Sequence, residues 1–275
     1  MNKILIFIFM LIIIIIIVSY IDNKKNLNKF INAEKIIKKE NIINLIDIKE
    51  NENIPKNIIQ TYKNKNLVPN YIFENIKNKN KNWNYYFFND KECREFLLEE
   101  YGKDFLDKFD SFKKGAHKSD LFRLCWLYKN GGVYIDIDTQ ILIPLDEIVK
   151  NINNNFTILQ NDFRRNIYDD LISKQFNVKH KTLINSFIVT NRGNIHIKKC
   201  IENIMKINQK DLENNYPLIL FVMQQTLKDD IDYQLFERSD NNYIPFLTGD
   251  MIMYDKNNKK IGYCKYKNYD DGKFN

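Results

Sequence analysis

The stretch that most restricts this 275-residue chain is residues 115–144, GAHKSDLFRLCWLYKNGGVYIDIDTQILIP. Its first half carries Leu121, Leu124, Cys125 and Leu127 at helical spacing, with Ser119 placed to cap the helix and Gly131-Gly132 placed to end it. Residues 133–137 then alternate as a strand. Similar pieces flank this unit. Residues 57–62 (NIIQTY) read as a strand introduced by Pro55, and residues 83–88 as an aromatic strand before Asp90, which can cap a helix over 92–100. Strands alternating with helices predict an α/β sandwich with a mainly parallel sheet. Such folds bind ligands at the carboxyl ends of their strands, where Asp136 and Asp138 fall.

The alternation carries chemistry. Side chains at period two share a face, so Tyr134, Asp136 and Asp138 are expected on one side of the strand. Two carboxylates about 7 Å apart on a half-buried face repel each other unless one is protonated or a cation lies between them. A divalent ion with oxygen ligands, Mn²⁺ or Mg²⁺, suits that need and keeps positions for substrate phosphates. Asp120 and Arg123 are three residues apart and share a helix face. There the Arg can neutralise a diphosphate and the Asp can accept from sugar hydroxyls. The plain alternatives are a surface ion pair for Asp120–Arg123 and an acidic turn for the two aspartates.

Composition removes other classes. With 44% hydrophobic and 13% aromatic residues the chain can bury a core, and mean hydropathy of -0.46 excludes a polytopic membrane protein. His117, His180 and His196 are too dispersed for a histidine-built metal site. Cys93, Cys125, Cys200 and Cys264 form no CxxC pair, which removes zinc ribbons, thioredoxin-type chemistry and a disulfide framework. The net charge of +7 comes from scattered lysines without a basic–aromatic motif, so nucleic acid is not an expected partner.

Residues 4–21 are unbroken hydrocarbon apart from Ser19 and Tyr20, and at 1.5 Å per residue they span about 27 Å, the thickness of a bilayer core. Without a small-x-small cleavage site they read as an uncleaved single-pass anchor, residues 1–21. Residues 22–53, rich in Lys, Asn and Glu, read as a stem with one helix near 33–39, and residues 54–275 as the catalytic domain. Lys24, Lys25 and Lys29 after the span outnumber Lys3 before it, and by the positive-inside rule this balance leans against a cytosolic amino terminus. In the tail, 195–207 and 217–228 read as helices and 243–266 as short strands about an Asp255–Asn258 turn.

The string S-D-L-F-R followed by G-G-V-Y-I-D-I-D resembles the sugar-nucleotide-binding DXD region of glycosyltransferase family 32, with the clostridial glucosylating toxins as distant relatives. I-P-K-N-I-I-Q-T-Y-K at 54–63 is similar to that family's first strand, and NSFIVTNRGNIH at 185–196 to a later one. The resemblance implies a GT-A fold: Rossmann-like, mainly parallel, flanked by helices. It also implies metal-dependent, retaining transfer of a hexose from a UDP- or GDP-sugar to a glycan or glycolipid acceptor. Under it, Asp138 and Asp136 would hold Mn²⁺ or Mg²⁺. Asp120, Arg123, Tyr134 and Asn185 would hold the donor, and Gln60 and Tyr62 would lie along the nucleotide. Asp136, Asp138 and Arg123 would form the catalytic set. A Golgi- or ER-like lumenal address follows from the family and the anchor–stem–domain layout.

Three positions depart from the family pattern. Ile59 replaces its usual His, its Thr-Gly-Pro turn has only imperfect counterparts at Tyr216-Pro217 and Thr248-Gly249, and no His follows His196. A third metal ligand is then expected near the carboxyl terminus. Two rivals share the features: a membrane-anchored sugar-nucleotide-binding protein without turnover, and a phosphatase of the haloacid dehalogenase type. The phosphatase motif wants Thr or Val two residues after the second Asp, where this chain has Gln140.

Overall fold

The computed structural model describes residues 45–153, 155–161, 182–213, 215–227, 235–239 and 251–264, with residues 31–40, 43 and isolated positions between 17 and 29. Among the described residues nine strands form one sheet: β1 Asn57–Thr61, β2 Asn84–Phe88, β3 Gly132–Ile135, β4 Thr139–Ile141, β5 Phe156–Asn161, β6 Thr182–Thr190, β7 Leu235–Ser239, β8 Met251–Asp255 and β9 Lys260–Cys264. Their order is β2-β1-β3-β6-β5-β7-β8-β9-β4. The α/β class holds, but the sheet is mixed rather than mainly parallel. β1 runs parallel to β2 and β3, and β5 to β7, whereas β3–β6, β5–β6, β7–β8, β8–β9 and β4–β9 are antiparallel. Connection length explains the difference. Helical crossovers follow β1 and β2, while only residues 256–259 join β8 to β9, and so short a link permits only an antiparallel pair.

Alternation sorts the central strands between two cores. Ile59 and Tyr134 face a cluster containing Leu121, Phe122, Trp126, Ile201 and Val222, on the side of the helices Gly115–Asn130, Ile195–Met205 and Leu218–Leu227. Ile58, Val133 and Ile135 face the opposite cluster with Ile76, Leu145 and Ile148. The Gly115–Asn130 helix is buried without a break from Asp120 to Tyr128, so its polar residues have no solvent face to turn to. Phe105, Phe109 and Phe112 also pack as core.

Two predicted caps shift. The Gly115–Asn130 helix starts four residues before Ser119, with Lys114 at its N-cap, so Ser119 lies inside the helix. Asn89, not Asp90, caps the helix Asp90–Tyr101, in a capping box with Glu92. The double glycine behaves as read. Gly131 and Gly132 have φ of 65° and 117°, and a Cβ on Gly132 would lie 2.3 Å from Asn57 O. That close approach seats β3 directly beside β1.

The stem expectation needs correction for residues 31–53. Residues 31–37 are helical, and Ala33 and Ile36 are buried in the larger core. Beyond them, Ile48 N donates to Tyr128 Oη (3.2 Å), Asn51 N to Arg192 O (3.1 Å) and Asn155 Nδ2 to Glu52 O (2.6 Å). Ile36, Ile37, Ile43 and Ile48, spaced among the lysines, thus pack on the domain. The anchor expected at residues 4–21 lies, apart from Ile17 and Ile21, outside the described residues; among the described residues no helix is long and apolar enough to cross a membrane.

Candidate active site

The strand expected over 133–137 ends at Ile135, and the D-x-D lies on a tight turn to β4, closed by Thr139 N donating to Asp136 O (3.0 Å). Period-two alternation therefore does not carry through to Asp138, because the chain reverses before reaching it. It does hold for Tyr134 and Asp136, whose side chains meet: Tyr134 Oη donates to Asp136 Oδ1 at 2.5 Å. Asp136 N donates to Ser186 O on β6 (2.8 Å), which ties the turn to the sheet. Asp136 and Asp138 are both partly exposed.

Beneath the turn lies a buried polar layer centred on Arg123. Its Nη1 donates to Asn185 O (2.7 Å) and stands 3.3 Å from Asp136 Oδ1; its Nη2 donates to Ser119 Oγ (2.9 Å) and stands 3.3 Å from Asp120 Oδ1. The guanidinium lies 4.1 Å from the centre of the Tyr134 ring, a cation–π contact made inside the protein. Asn185 Nδ2 donates to Asp120 Oδ1 (2.7 Å). One guanidinium thus serves two carboxylates. Burial pushes the Asp120 carboxyl above its usual range, against the pull of Arg123 and the Asn185 hydrogen bond. Burial likewise raises the Tyr134 hydroxyl, so that it stays a donor to Asp136.

Asp120, Arg123, Tyr134, Asp136 and Asn185 therefore come together as expected. Gln60 and Tyr62 do not stand as surfaces for a nucleotide. Gln60 is fully buried, and both ends of its amide are used within the protein: Nε2 donates to Asp136 O (3.1 Å) and Oε1 accepts from Tyr85 Oη (2.8 Å). Tyr62 is buried with Val68, Ile72, Phe73 and Ile137, the residue between the two aspartates. Thr61 and Tyr85 were not singled out from the sequence, and Ser119 only as a helix cap. Thr61 Oγ1 lies 2.8 Å from Ser119 Oγ, which lies 3.3 Å from Tyr134 Oη, so hydroxyls link β1, the helix and β3. Thr61 and Ser119 adjoin recognised residues, a positional signal for both; nothing in the sequence marks Tyr85.

A divalent cation fits the donors at the turn. Asp136 and Asp138 offer partly exposed carboxylate oxygens, the donor type such an ion takes, and Asp136 shares the single Arg123 guanidinium with Asp120. Among the described residues no group of three His, Cys, Asp or Glu side chains could hold a metal, and the carboxyl-terminal residues 265–275, where a third ligand was expected, lie outside them.

No curated protein matches the chain. Among solved structures it is similar to the PaToxG glycosyltransferase, at 19% identity over 78% of this chain and 80% of that one, with a TM-score of 0.44. Residues 66–156 match the family model described as the glycosyltransferase sugar-binding region containing the DXD motif, a span that holds Asp120, Arg123, Tyr134, Asp136 and Asp138. The segment carrying the turn and most of its buried support is thus similar to a glycosyltransferase sugar-binding region, in line with the resemblance to family 32.

Proposed function

We propose that the chain is a metal-dependent, retaining glycosyltransferase that moves a hexose from a UDP- or GDP-sugar to a glycan or glycolipid acceptor. One observation carries this reading: the D-x-D of a glycosyltransferase sugar-binding region sits on a turn pinned above the buried Arg123 layer. Asp138 and Asp136 would hold Mn²⁺ or Mg²⁺, which when bound supplies positive charge for the leaving diphosphate. Tyr134 and Arg123 both approach Asp136 at Oδ1, so Oδ2 is the oxygen assigned to the ligand.

In the reaction the bond between the anomeric carbon and the phosphate oxygen breaks, and the diphosphate leaves with the electron pair. The acceptor hydroxyl oxygen bonds to the same face of that carbon and gives up its proton to the departing phosphate oxygen. Arg123 contributes a preorganised positive charge that needs no reorganisation as the leaving group charges up. Asp120, held by Asn185 and Arg123, is the acceptor for donor-sugar hydroxyls. Gln60 and Tyr62 act in this reading through the turn rather than on the nucleotide. Residues 1–21 would anchor the chain in a membrane with a Golgi- or ER-like lumenal domain, and residues 54–275 would form the catalytic domain with 31–53 packed on it.

The test is release of nucleoside diphosphate by the full chain in detergent, across UDP- and GDP-hexoses, with Mn²⁺ or with chelator. Metal-dependent cleavage of one donor supports the reading and names the sugar. Tight Mn²⁺-dependent nucleotide binding with no cleavage of any donor, with or without acceptors, favours the second reading, a sugar-nucleotide-binding protein without turnover. That reading draws on the lack of a third protein ligand among the described residues.

A further inference from the structure

The turn that carries Asp136 and Asp138 is held from both sides of the sheet, and the two grips differ in kind. On the side of the Gly115–Asn130 helix, Tyr134 and Arg123 hold the Asp136 carboxylate. On the other side the grip is on the backbone: Gln60 Nε2 donates to Asp136 O (3.1 Å), the same carbonyl that closes the turn with Thr139 N. Gln60 in turn accepts from Tyr85 Oη at 2.8 Å. Tyr85 stands on β2, the edge strand on this side of the sheet, two strands away from the turn.

We propose that Tyr85 is a positioning residue for the D-x-D turn, acting through Gln60 to set the Asp136 backbone and with it the spacing of both carboxylates. This rests on the glycosyltransferase reading of the same turn. The chemistry makes the relay directional. A glutamine amide offers donors at one end and an acceptor at the other, and a flipped Gln60 would set its oxygen against the Asp136 carbonyl. The acceptor-only Asp136 carbonyl thus fixes the amide's orientation, and the Tyr85 hydroxyl holds the amide in place by donating to Oε1. Burial raises that hydroxyl well beyond the usual tyrosine range, so it remains a donor at any working pH. The ring itself is held by Phe73, edge-on at 6.1 Å, and by Lys77 Nζ, 4.8 Å from its centre. Tyr85 and Phe87 also pack on the cluster that buries Ile137, so apolar contact and hydrogen bonding locate the turn together.

The experiment measures Mn²⁺ affinity of the full chain in detergent, with saturating UDP or GDP, from the electron paramagnetic resonance signal of free Mn²⁺. Tyr85→Phe removes one hydroxyl and keeps the ring, and is expected to weaken Mn²⁺ about tenfold, the scale of one lost hydrogen bond to a buried group. Gln60→Met is expected to do at least as much. The double variant should be no weaker than Gln60→Met alone, because the relay passes through Gln60. Tyr86→Phe, on the neighbouring exposed residue, should leave Mn²⁺ affinity unchanged. Wild-type affinity in Tyr85→Phe, whatever its melting temperature, overturns the relay alone and leaves the transferase reading standing. Additive losses in the double variant also overturn it. Absence of Mn²⁺ and nucleotide binding in the wild-type chain overturns the relay and the transferase reading together. If Gln60→Met does not fold, Tyr85→Phe decides by itself.

Discussion

Lys103–Asp107 and Asp120–Arg123 are both ion pairs within single helices, one at i,i+4 and the other at i,i+3. Their settings are opposite. The side chains of the first pair are 76% and 58% exposed; those of Arg123 and Asp120 are 5% and 11% exposed. In water the first pair gains little beyond what solvent already gives each charge. Arg123 and Asp120 have lost that solvent, and what replaces it is Asn185, Ser119, Tyr134 and Asp136. Oppositely charged residues one helical turn apart therefore yield a solvated surface in one helix and a preorganised field in the other. The difference lies in what the rest of the sheet packs against each helix.

Removing the buried cation should break the comparison most visibly. Arg123→Met leaves Asp120 and Asp136 facing each other without compensation, and is expected to cost about 3–5 kcal/mol of stability. Donor cleavage should fall by about 10²–10³ in the same variant, on the scale of one lost transition-state donor. Denaturant titration and donor turnover read the two effects separately. Next in size is the cover over the same helix. A chain beginning at residue 54 loses Ala33, Ile36 and the Ile48 hydrogen bond to Tyr128, and should be less stable by about 3–4 kcal/mol than one beginning at residue 28. Equal melting curves would mean that residues 31–53 cover the domain without supporting it.

Asp120→Asn sharpens the comparison through pH. Folding raises the Asp120 carboxyl, so the folded chain holds this proton to higher pH than the unfolded chain. Stability from this group is complete below the unfolded carboxylate range and declines as pH rises towards the folded value. Asp120→Asn lacks that decline. Its melting temperature relative to wild type should therefore climb as pH rises from about 4, measured without metal, while its donor cleavage stays low. Smallest is Lys103→Met, expected to change stability by about 0.5 kcal/mol or less, and still less in high salt.

The sequence made the helix, the double glycine and the following strand legible because each has a local cause: apolar spacing, a left-handed stop, and alternation. It misplaced what depends on distant partners. Ser119 reads as a cap because its residue type favours caps, yet Arg123 and Thr61 claim its hydroxyl inside the helix. Gln60 and Tyr62 stand two residues apart in a motif that suggests ligand contact. Their burial is set by Tyr85, Phe73 and Ile137, which come from three other segments. Alternation in the sequence extends the strand to Ile137, and only the Asp136–Thr139 hydrogen bond reveals the turn. Residues 31–53 resembled a stem by composition, since a few spaced isoleucines among lysines do not announce the surface they will cover.

The central claim, that the exposed carboxylates work as one device with the buried layer under them, is tested most directly by donor cleavage in Asp138→Asn. Turnover of the preferred UDP- or GDP-hexose by the full chain, at saturating Mn²⁺, should drop at least a hundredfold while melting temperature stays within about 2 °C, since Asp138 is partly exposed at a turn. Turnover that survives this substitution would contradict the assignment of the D-x-D turn as the site of chemistry.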